Sequence, residues 1–165
     1  MALHPDPRRL ILHAPAKINL FLHIEGRRPD AYHTLTSLMA PLDLCDELHL
    51  TPTAQNNVSF SGPFADGIDP ESNTLHQVLN FFPGETWDIQ VHKVIPSGAG
   101  LGGGSSDAAA LLKFLGDRRQ IPAAKLHNMA AEIGADVPFF LDPQPRLVRG
   151  TGTDLGETLS LPPFH

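Results

Sequence analysis

The chain has 165 residues, of which 41% are hydrophobic, so its length and composition suggest one domain with a substantial apolar core. Its net charge of −6 argues against a nucleic-acid partner, because phosphates attract clustered Lys and Arg. The sequence contains no run of about 18 apolar residues and no signal-peptide pattern, so we expect a cytoplasmic protein without a membrane-spanning helix.

Two residue types that often mark chemistry carry little signal here. Cys45 is the single cysteine, which excludes an intrachain disulfide and is typical of a reducing compartment. The nine histidines show no metal-ligand spacing such as His-Glu-x-x-His. The sequence alone therefore assigns no metal ligand.

The N-terminal part of the chain predicts antiparallel strands. Residues 8–13 and 17–24 are predicted strands on either side of a turn at Pro15, and 17–24 alternates apolar and polar side chains. Gly, Pro and Asp predict a loop over 26–32. Turn-forming residues separate three further β-prone segments, 34–42, 46–51 and 57–60.

The middle of the chain predicts one helix and one strand. Ser72 or Asn73 can cap a helix that extends to about residue 82, where Pro83-Gly84 ends it. Residues 87–95 then alternate, with Trp87, Ile89, Val91 and Ile95 on one side of a predicted strand. This strand leads directly into a glycine-rich segment.

The residues after the glycines predict a helix over 105–115. Ser105 or Ser106 can cap this helix, Asp107 suits its positive end, and Gly116 is a natural stop.

A second helix is predicted over 123–133, followed by two short strands in the tail, 146–165. Helices and strands are interspersed without strict β-α-β alternation. The pattern therefore predicts an α+β, two-layer domain.

Five glycines fall within positions 98–104, between the predicted strand and helix. The spacing Gly98-x-Gly100-x-x-Gly103 matches a dinucleotide fingerprint, but the β-α-β unit and the acidic residue that this fingerprint needs are not predicted. A P-loop is excluded because Gly104 stands where Lys is required. The segment favours another phosphate cradle, in which bare N–H groups and a helix N-terminus face the anion. A turn that only permits close helix packing is the alternative.

Three stretches together resemble the GHMP-type small-molecule kinases. The first is the glycine segment with its Ser-Ser-x-Ala-Ala continuation, 96–109; the second combines 14–22 with 30–35; the third is 134–138. They lie in the expected order, and the resemblance covers roughly residues 13–160.

This resemblance implies ATP- and Mg²⁺-dependent phosphorylation of a small-molecule substrate. The implied substrate is a cytidine diphosphate methylerythritol, phosphorylated on a hydroxyl in the non-mevalonate isoprenoid pathway. The implied fold is a nucleotide-binding domain related to ribosomal protein S5 domain 2. We expect this N-terminal domain over 1–160 and a stub of linker over 161–165, with the second kinase domain largely absent from the chain.

Asp136 and Lys17 are the predicted catalytic residues. Asp136 stands before an apolar run and is the candidate base; its alternative role is that of a helix N-cap. Lys17 begins an otherwise apolar strand and is the candidate cation for the transferred phosphoryl group. Its alternative is a lysine whose stem covers the core while its ammonium stays in water.

The resemblance also implies binding residues. Asn19 shares a strand face with Lys17 and is a predicted substrate contact, while Tyr32 would stack on cytosine and His33 would bind the base. The predicted ATP site consists of Asn73, Lys93, Pro96, Ser97, Gly98, Ala99, Gly100, Leu101, Gly102, Gly103, Gly104, Ser105 and Ser106. Asn73 could instead be a helix cap, and Lys93 could instead be an exposed strand residue.

Three other functions remain open at this point. A GHMP kinase acting on a smaller alcohol, such as mevalonate or homoserine, would not need a stacking platform at Tyr32-His33. An inactive nucleotide-binding module is favoured by the short chain and disfavoured by the presence of both Lys17 and Asp136. A dinucleotide oxidoreductase is disfavoured by the missing β-α-β pattern.

Overall fold

The computed structural model describes residues 9–27 and 33–162, and the descriptions below concern these residues. Its elements are β1 (Leu10–Arg27), β2 (His33–Pro52), β3 (Asn57–Ser61), α1 (Thr74–Asn80), β4 (Trp87–His92), α2 (Gly103–Arg118), α3 (Ala123–Ile133), α4 (Val137–Phe140), β5 (Arg146–Gly150) and β6 (Asp154–Thr158). None of these helices is both long and apolar enough to cross a bilayer.

The strands form one mixed sheet in the order β3-β4-β2-β5-β6, with β1 paired to β2. Only β3 and β4 are parallel among the described pairs. Because β1 follows nearly the whole length of β2, β4 and β5 must share the other edge of β2. They pair with 47–52 and 35–39 respectively, which leaves 40–46 between them. Asp46 lies at the end of this gap, next to β4.

The predicted turn at Pro15 is wrong, because β1 runs through it without interruption. Pro15 faces Cys45, and a register shift follows between Pro15 and Lys17, as in a β-bulge. A proline without an N–H is tolerated in β1 because the described part of this strand pairs only along one edge. The predicted strands 34–42 and 46–51 are likewise one strand, β2.

A single apolar core lies between the sheet and the helices and confirms the predicted α+β, two-layer class. Gly116 does not stop α2, which continues to Arg118. A Cβ on Gly116 would lie 2.5 Å from Cδ1 of Leu126, so this glycine allows α2 to approach α3 closely. The fully buried side chains at the centre of the core include Leu48, Leu50, Ile89, Val91, Leu111, Leu112, Leu115 and Phe139.

The helix ends confirm some predicted caps and correct others. Asn73 caps α1, because its Oδ1 accepts the N–H of Leu75 at 3.0 Å. The cap of α2 is Gly102 in a left-handed conformation, with no side-chain cap, so Ser105 and Ser106 instead lie in the first turn. The other predicted helix, α3, has the predicted bounds, and β5 and β6 are the two short strands expected in the tail. The predicted strand over 87–95 ends earlier, at His92.

Candidate active site

The glycine segment forms a loop between β4 and α2 that contacts β1 and α4. The backbone N–H of Lys17 donates to the carbonyl of Leu101 at 2.9 Å, which joins the loop to β1. At Gly102, where φ is +73°, a Cβ would lie 2.8 Å from ring carbons of Phe140 and 3.3 Å from Cγ of Lys17. A glycine is therefore required where the loop passes between β1 and α4.

This loop borders a cavity of about 390 Å³, within the range of small-molecule sites. A Cβ added to Gly98, Gly100 or Gly104 would meet no protein atom within 4 Å, so bare backbone faces open space there. The cavity lining consists of Thr74, Lys93, Ile95, Pro96, Ser97, Gly98, Gly100, Leu101, Gly102, Gly103, Gly104, Ser105 and Asp136. The structure thus brings most of the predicted ATP-site residues to one cavity.

The N-terminus of α2 points its free donors at this region. The first helical hydrogen bond here runs from the N–H of Ser106 to the carbonyl of Gly102 at 2.9 Å. The preceding N–H groups of the first turn have no partner within the helix and carry its partial positive charge. Ser105 lines the cavity, whereas Ser106 does not. Among the described residues, the buried hydroxyl of Ser106 has no hydrogen-bond partner, and Ser106 lines a separate groove.

Lys17 and Asp136 come together beside the glycine loop. Lys17 Nζ lies 3.6 Å from Asp136 Oδ2, and the two side chains are 7% and 33% exposed. Asp136 precedes α4 but makes no side-chain capping hydrogen bond, so the alternative role as a cap is not realised in this geometry. Its carboxylate instead lines the cavity. A largely buried cation thus faces a carboxylate that a substrate can reach.

A chain of hydrogen bonds orients Lys17. Its Nζ donates to Asn19 Oδ1, and Asn19 Nδ2 donates in turn to Ser37 Oγ at 2.7 Å. The Ser37 hydroxyl donates to the carbonyl of Phe21 at 2.7 Å, which fixes the direction of the chain. Ser37 is fully buried on β2 and was not a predicted site residue. No pattern around a lone serine in a strand would have identified it.

Lys93 is buried, so its alternative as an exposed strand residue is wrong. Its Nζ donates to Asp46 Oδ2 at 2.5 Å and to Asp107 Oδ2 at 2.6 Å, and the three side chains are at most 3% exposed. Lys93 also lines the cavity, at its floor below Gly103. Sequence reasoning missed Asp46 and gave Asp107 only a helix-dipole role.

Burial raises the pKa of Asp107 from 3.8 to about 7. The nearby Lys93 cation lowers this pKa, while the Asp46 carboxylate raises it. The loss of hydration outweighs the short contact with Lys93, because one cation must compensate two buried carboxylates. Asp107 Oδ1 also has no hydrogen-bond partner in the described structure.

The remaining predicted residues lie at the edge of the site or outside the described part of the chain. Asn73 borders a neighbouring cavity of about 240 Å³ that also contains Lys93 and Asp107. Its side chain is engaged in the α1 cap and in hydrogen bonds to the carbonyls of Asp69 and Pro70. Tyr32 lies outside the described residues. His33 begins β2, but its side chain is not described.

Two comparisons with known proteins bear on the fold. The family model described as the GHMP kinases N terminal domain matches residues 73–142, which include the glycine loop and Asp136. A crystal structure of 4-(cytidine 5'-diphospho)-2C-methyl-D-erythritol kinase, 38% identical, covers 93% of this chain with a TM-score of 0.75. The chain has the fold of the GHMP kinase N-terminal domain. The fold predicted from the sequence is thereby confirmed.

Relatives of the GHMP kinase domain add sequence evidence. The 4-diphosphocytidyl-2-C-methyl-D-erythritol kinase of Paraburkholderia phytofirmans is 42% identical over 92% of this chain, and that of Azorhizobium caulinodans is 40% identical over 95%. The chain covers only 54% and 57% of these two proteins, and 56% of the chain in the crystal structure. It therefore spans about half the length of these relatives.

More distant GHMP kinases share the fold alone. The mevalonate kinase of Methanococcus jannaschii is 12% identical, with a TM-score of 0.57, over 94% of this chain and 57% of its own. At this identity the likeness shows the architecture and carries no argument about substrate.

Proposed function

We propose that this chain takes part in ATP-dependent phosphorylation of a hydroxyl on 4-diphosphocytidyl-2-C-methyl-D-erythritol. The observation that carries the proposal is the Lys17–Asp136 pair, with its 3.6 Å separation. The Asp136 carboxylate of this pair lines a cavity built by a glycine loop and a helix N-terminus. The similarity at about 40% identity to kinases of this name supports the choice of substrate. The reaction is proposed for the cytoplasm, where ATP is available.

The cavity fits the phosphates of ATP on physical grounds. The open positions at Gly98, Gly100 and Gly104 let phosphate oxygens approach bare backbone, and the first turn of α2 supplies donors and partial positive charge. Mg²⁺ fits as a companion of these phosphates, because kinase sites usually provide only one or two protein oxygens for it. Bound Mg-ATP would supply the transferable phosphoryl group.

The residues of the chain would then handle the proton and the developing charge. Asp136 would accept the proton of the attacking hydroxyl, since its carboxylate makes no capping bond and faces the cavity. Lys17 would offset the negative charge on the transferred group, and Asn19 would hold the ammonium in place. Phosphoryl transfer relies mainly on such positioning and charge stabilisation.

The cytidine end of the substrate is proposed to lie near the β1–β2 connection. Tyr32 stacking on the base and His33 bonding to it remain predictions. Asn19 lies between this end and Lys17 along β1, so it would contact the methylerythritol part. Asn73 and Lys93 would lie on the nucleoside side of the ATP cavity.

The first test is to incubate the purified chain with Mg-ATP and 4-diphosphocytidyl-2-C-methyl-D-erythritol and to measure product by mass. Asp136→Asn is the matched control, since it keeps the shape of the side chain and removes its basicity. Product that disappears in this variant, and that CDP suppresses by competition, supports the proposal. Absence of both product and ATP binding overturns it. ATP binding without product supports the nucleotide site alone and contradicts transfer by this chain on its own.

A further inference from the structure

We propose that Asp46, Lys93 and Asp107 form a clamp that joins the two ends of the glycine loop and thereby positions it for nucleotide binding. These three residues are called the loop clamp below. The proposal rests on the proposed nucleotide site and assigns to Asp46, which lies 47 residues before Lys93, a role that no sequence motif indicates.

The first end of the loop is held by Asp46. Its Oδ1 accepts the N–H groups of Val94 and Ile95 at 2.6 and 2.9 Å, and its Oδ2 accepts Lys93 Nζ. Lys93, Val94 and Ile95 follow the last residue of β4 and lead directly into the glycine loop. Asp46 itself lies in the gap on the β2 edge between the pairings with β4 and β5. Its carboxylate therefore replaces strand pairing at the point where the chain leaves the sheet.

The other end of the loop is held by Asp107 in the first turns of α2. Lys93 Nζ donates to Asp107 Oδ2 at 2.6 Å, so the ammonium group connects the segment before the loop to the helix after it. The two ends of the loop formed by residues 96–102 are thus joined by an ion pair. The bridge lies below Gly103, where an added Cβ would be only 3.3 Å from Lys93 Nζ.

Burial makes the hydrogen bonds of this bridge difficult to exchange for hydrogen bonds with water. All three side chains are at most 3% exposed, so water cannot replace a lost partner. An ordinary surface ion pair, by contrast, exchanges its partners with solvent. A merely structural cluster would support the whole sheet, whereas the loop clamp contacts the segments that enter and leave the glycine loop. Its loss is therefore expected to release the loop before it unfolds the domain.

The hydrogen bond from the Lys17 N–H to the Leu101 carbonyl offers a local probe. It lies outside the loop clamp and breaks when the loop moves away from β1. Amide exchange at Lys17 in the unliganded chain, relative to amides in the β1–β2 pairing, therefore reports loop position independently of any nucleotide. The second measurement is the dissociation constant of Mg-ATP.

The variants are Asp46→Ala, Asp46→Asn and Asp107→Asn, with Asp117→Asn as the matched control on the exposed end of α2. In Asp46→Ala we expect Lys17 exchange to rise at least about tenfold relative to the strand amides, and Mg-ATP affinity to fall by about tenfold. Asp46→Asn, which keeps an acceptor oxygen, should restore part of both. Asp107→Asn gives a milder change of the same kind and serves where Asp46→Ala does not fold.

The amide-exchange measurement tests the loop clamp whether or not the chain binds ATP. If Lys17 keeps its wild-type ratio to the strand amides in both Asp46→Ala and Asp107→Asn, or if all amides accelerate together, the loop clamp is overturned. A wild-type chain that binds no Mg-ATP refutes the proposed function, and the exchange result then tests the loop clamp alone. Faster exchange of the Lys17 amide in the clamp variants, with unchanged exchange in Asp117→Asn, supports the loop clamp.

Discussion

Two lysines approach aspartates beside the same glycine loop, and their surroundings differ. Lys93 is bonded to two carboxylates at 2.5 and 2.6 Å with all three side chains buried. Lys17 lies 3.6 Å from one carboxylate that is 33% exposed. In the first group the charges bind one another and the backbone N–H groups of Val94 and Ile95. In the second, the carboxylate keeps oxygen atoms open to the cavity.

This contrast teaches how one fold separates support from chemistry. A buried charged group whose members bind one another and the adjoining backbone holds that backbone in place. A partly exposed pair contributes little to stability and can change its partners during a reaction. The substitutions below test this division, from the largest expected effect to the smallest, and a pH test follows them.

Lys93→Met should give the largest loss of stability. It leaves Asp46 and Asp107 as buried carboxylates without their cation, which costs about 3–5 kcal/mol of unfolding free energy. Urea denaturation followed by circular dichroism measures the loss. Lys113→Met is the control, because its ion pair with Asp117 is exposed and should contribute less than about 1 kcal/mol. Equal losses in the two variants would contradict the comparison.

Lys17→Met should give the complementary result. We expect phosphoryl transfer to fall by about 10²- to 10³-fold, because the cation that offsets developing charge is lost. Stability should change by no more than about 1 kcal/mol, since Asp136 remains accessible to water. Single-turnover rates and denaturation curves check the two parts. A stability loss as large as that of Lys93→Met would show that both lysines are structural.

Gly102→Ala and Gly104→Ala compare two glycines of one loop. Gly102 has a φ of +73° and no space for a Cβ, so alanine should cost about 1–3 kcal/mol. Gly104 is helical and open, so alanine there should leave stability unchanged or slightly raised. Because its methyl group would enter the cavity, Gly104→Ala should still weaken Mg-ATP binding. Thermal denaturation and calorimetric titration separate these effects.

The last prediction concerns the pH dependence that Asp107 confers on stability. Its pKa is raised from 3.8 to about 7 in the folded chain by burial and by Asp46, despite Lys93. The folded state therefore holds more protons than the unfolded state between these values, and stability falls as pH rises through this window. Asparagine does not titrate. The Tm of Asp107→Asn relative to wild type should thus rise between about pH 4 and pH 7; a constant difference would refute the raised pKa.

The sequence predicted local structure well where local signals decide it. The bounds of α3 and the Asn73 cap follow from short-range patterns. The continuity of β1 through Pro15 does not, because it depends on pairing with residues that are about 30 positions away. On the edge where the described part of β1 has no partner strand, a proline breaks no hydrogen bond, and only the sheet order shows which edge this is.

The site shows the same division between motif and context. Lys17 and Asp136 were predicted through a family resemblance, and the structure brings them together. Lys93 was taken as exposed in the alternative interpretation, although its position is in phase with the buried Trp87, Ile89 and Val91. That phase was an available signal for burial. The choice of Asp46 as its partner was not available, since only the sheet brings these residues together.

The backbone hydrogen bond between Lys17 and Leu101 has a consequence for genetics. Of the nineteen possible substitutions of Lys17, eighteen keep the backbone N–H and change only the side chain. Proline alone would remove the donor. A mutational scan would therefore ascribe every defect at this position to the side chain, unless proline were compared with the other apolar substitutions. Position 17 thus has two separable functions, one of its side chain and one of its backbone N–H, and most substitutions affect only the first.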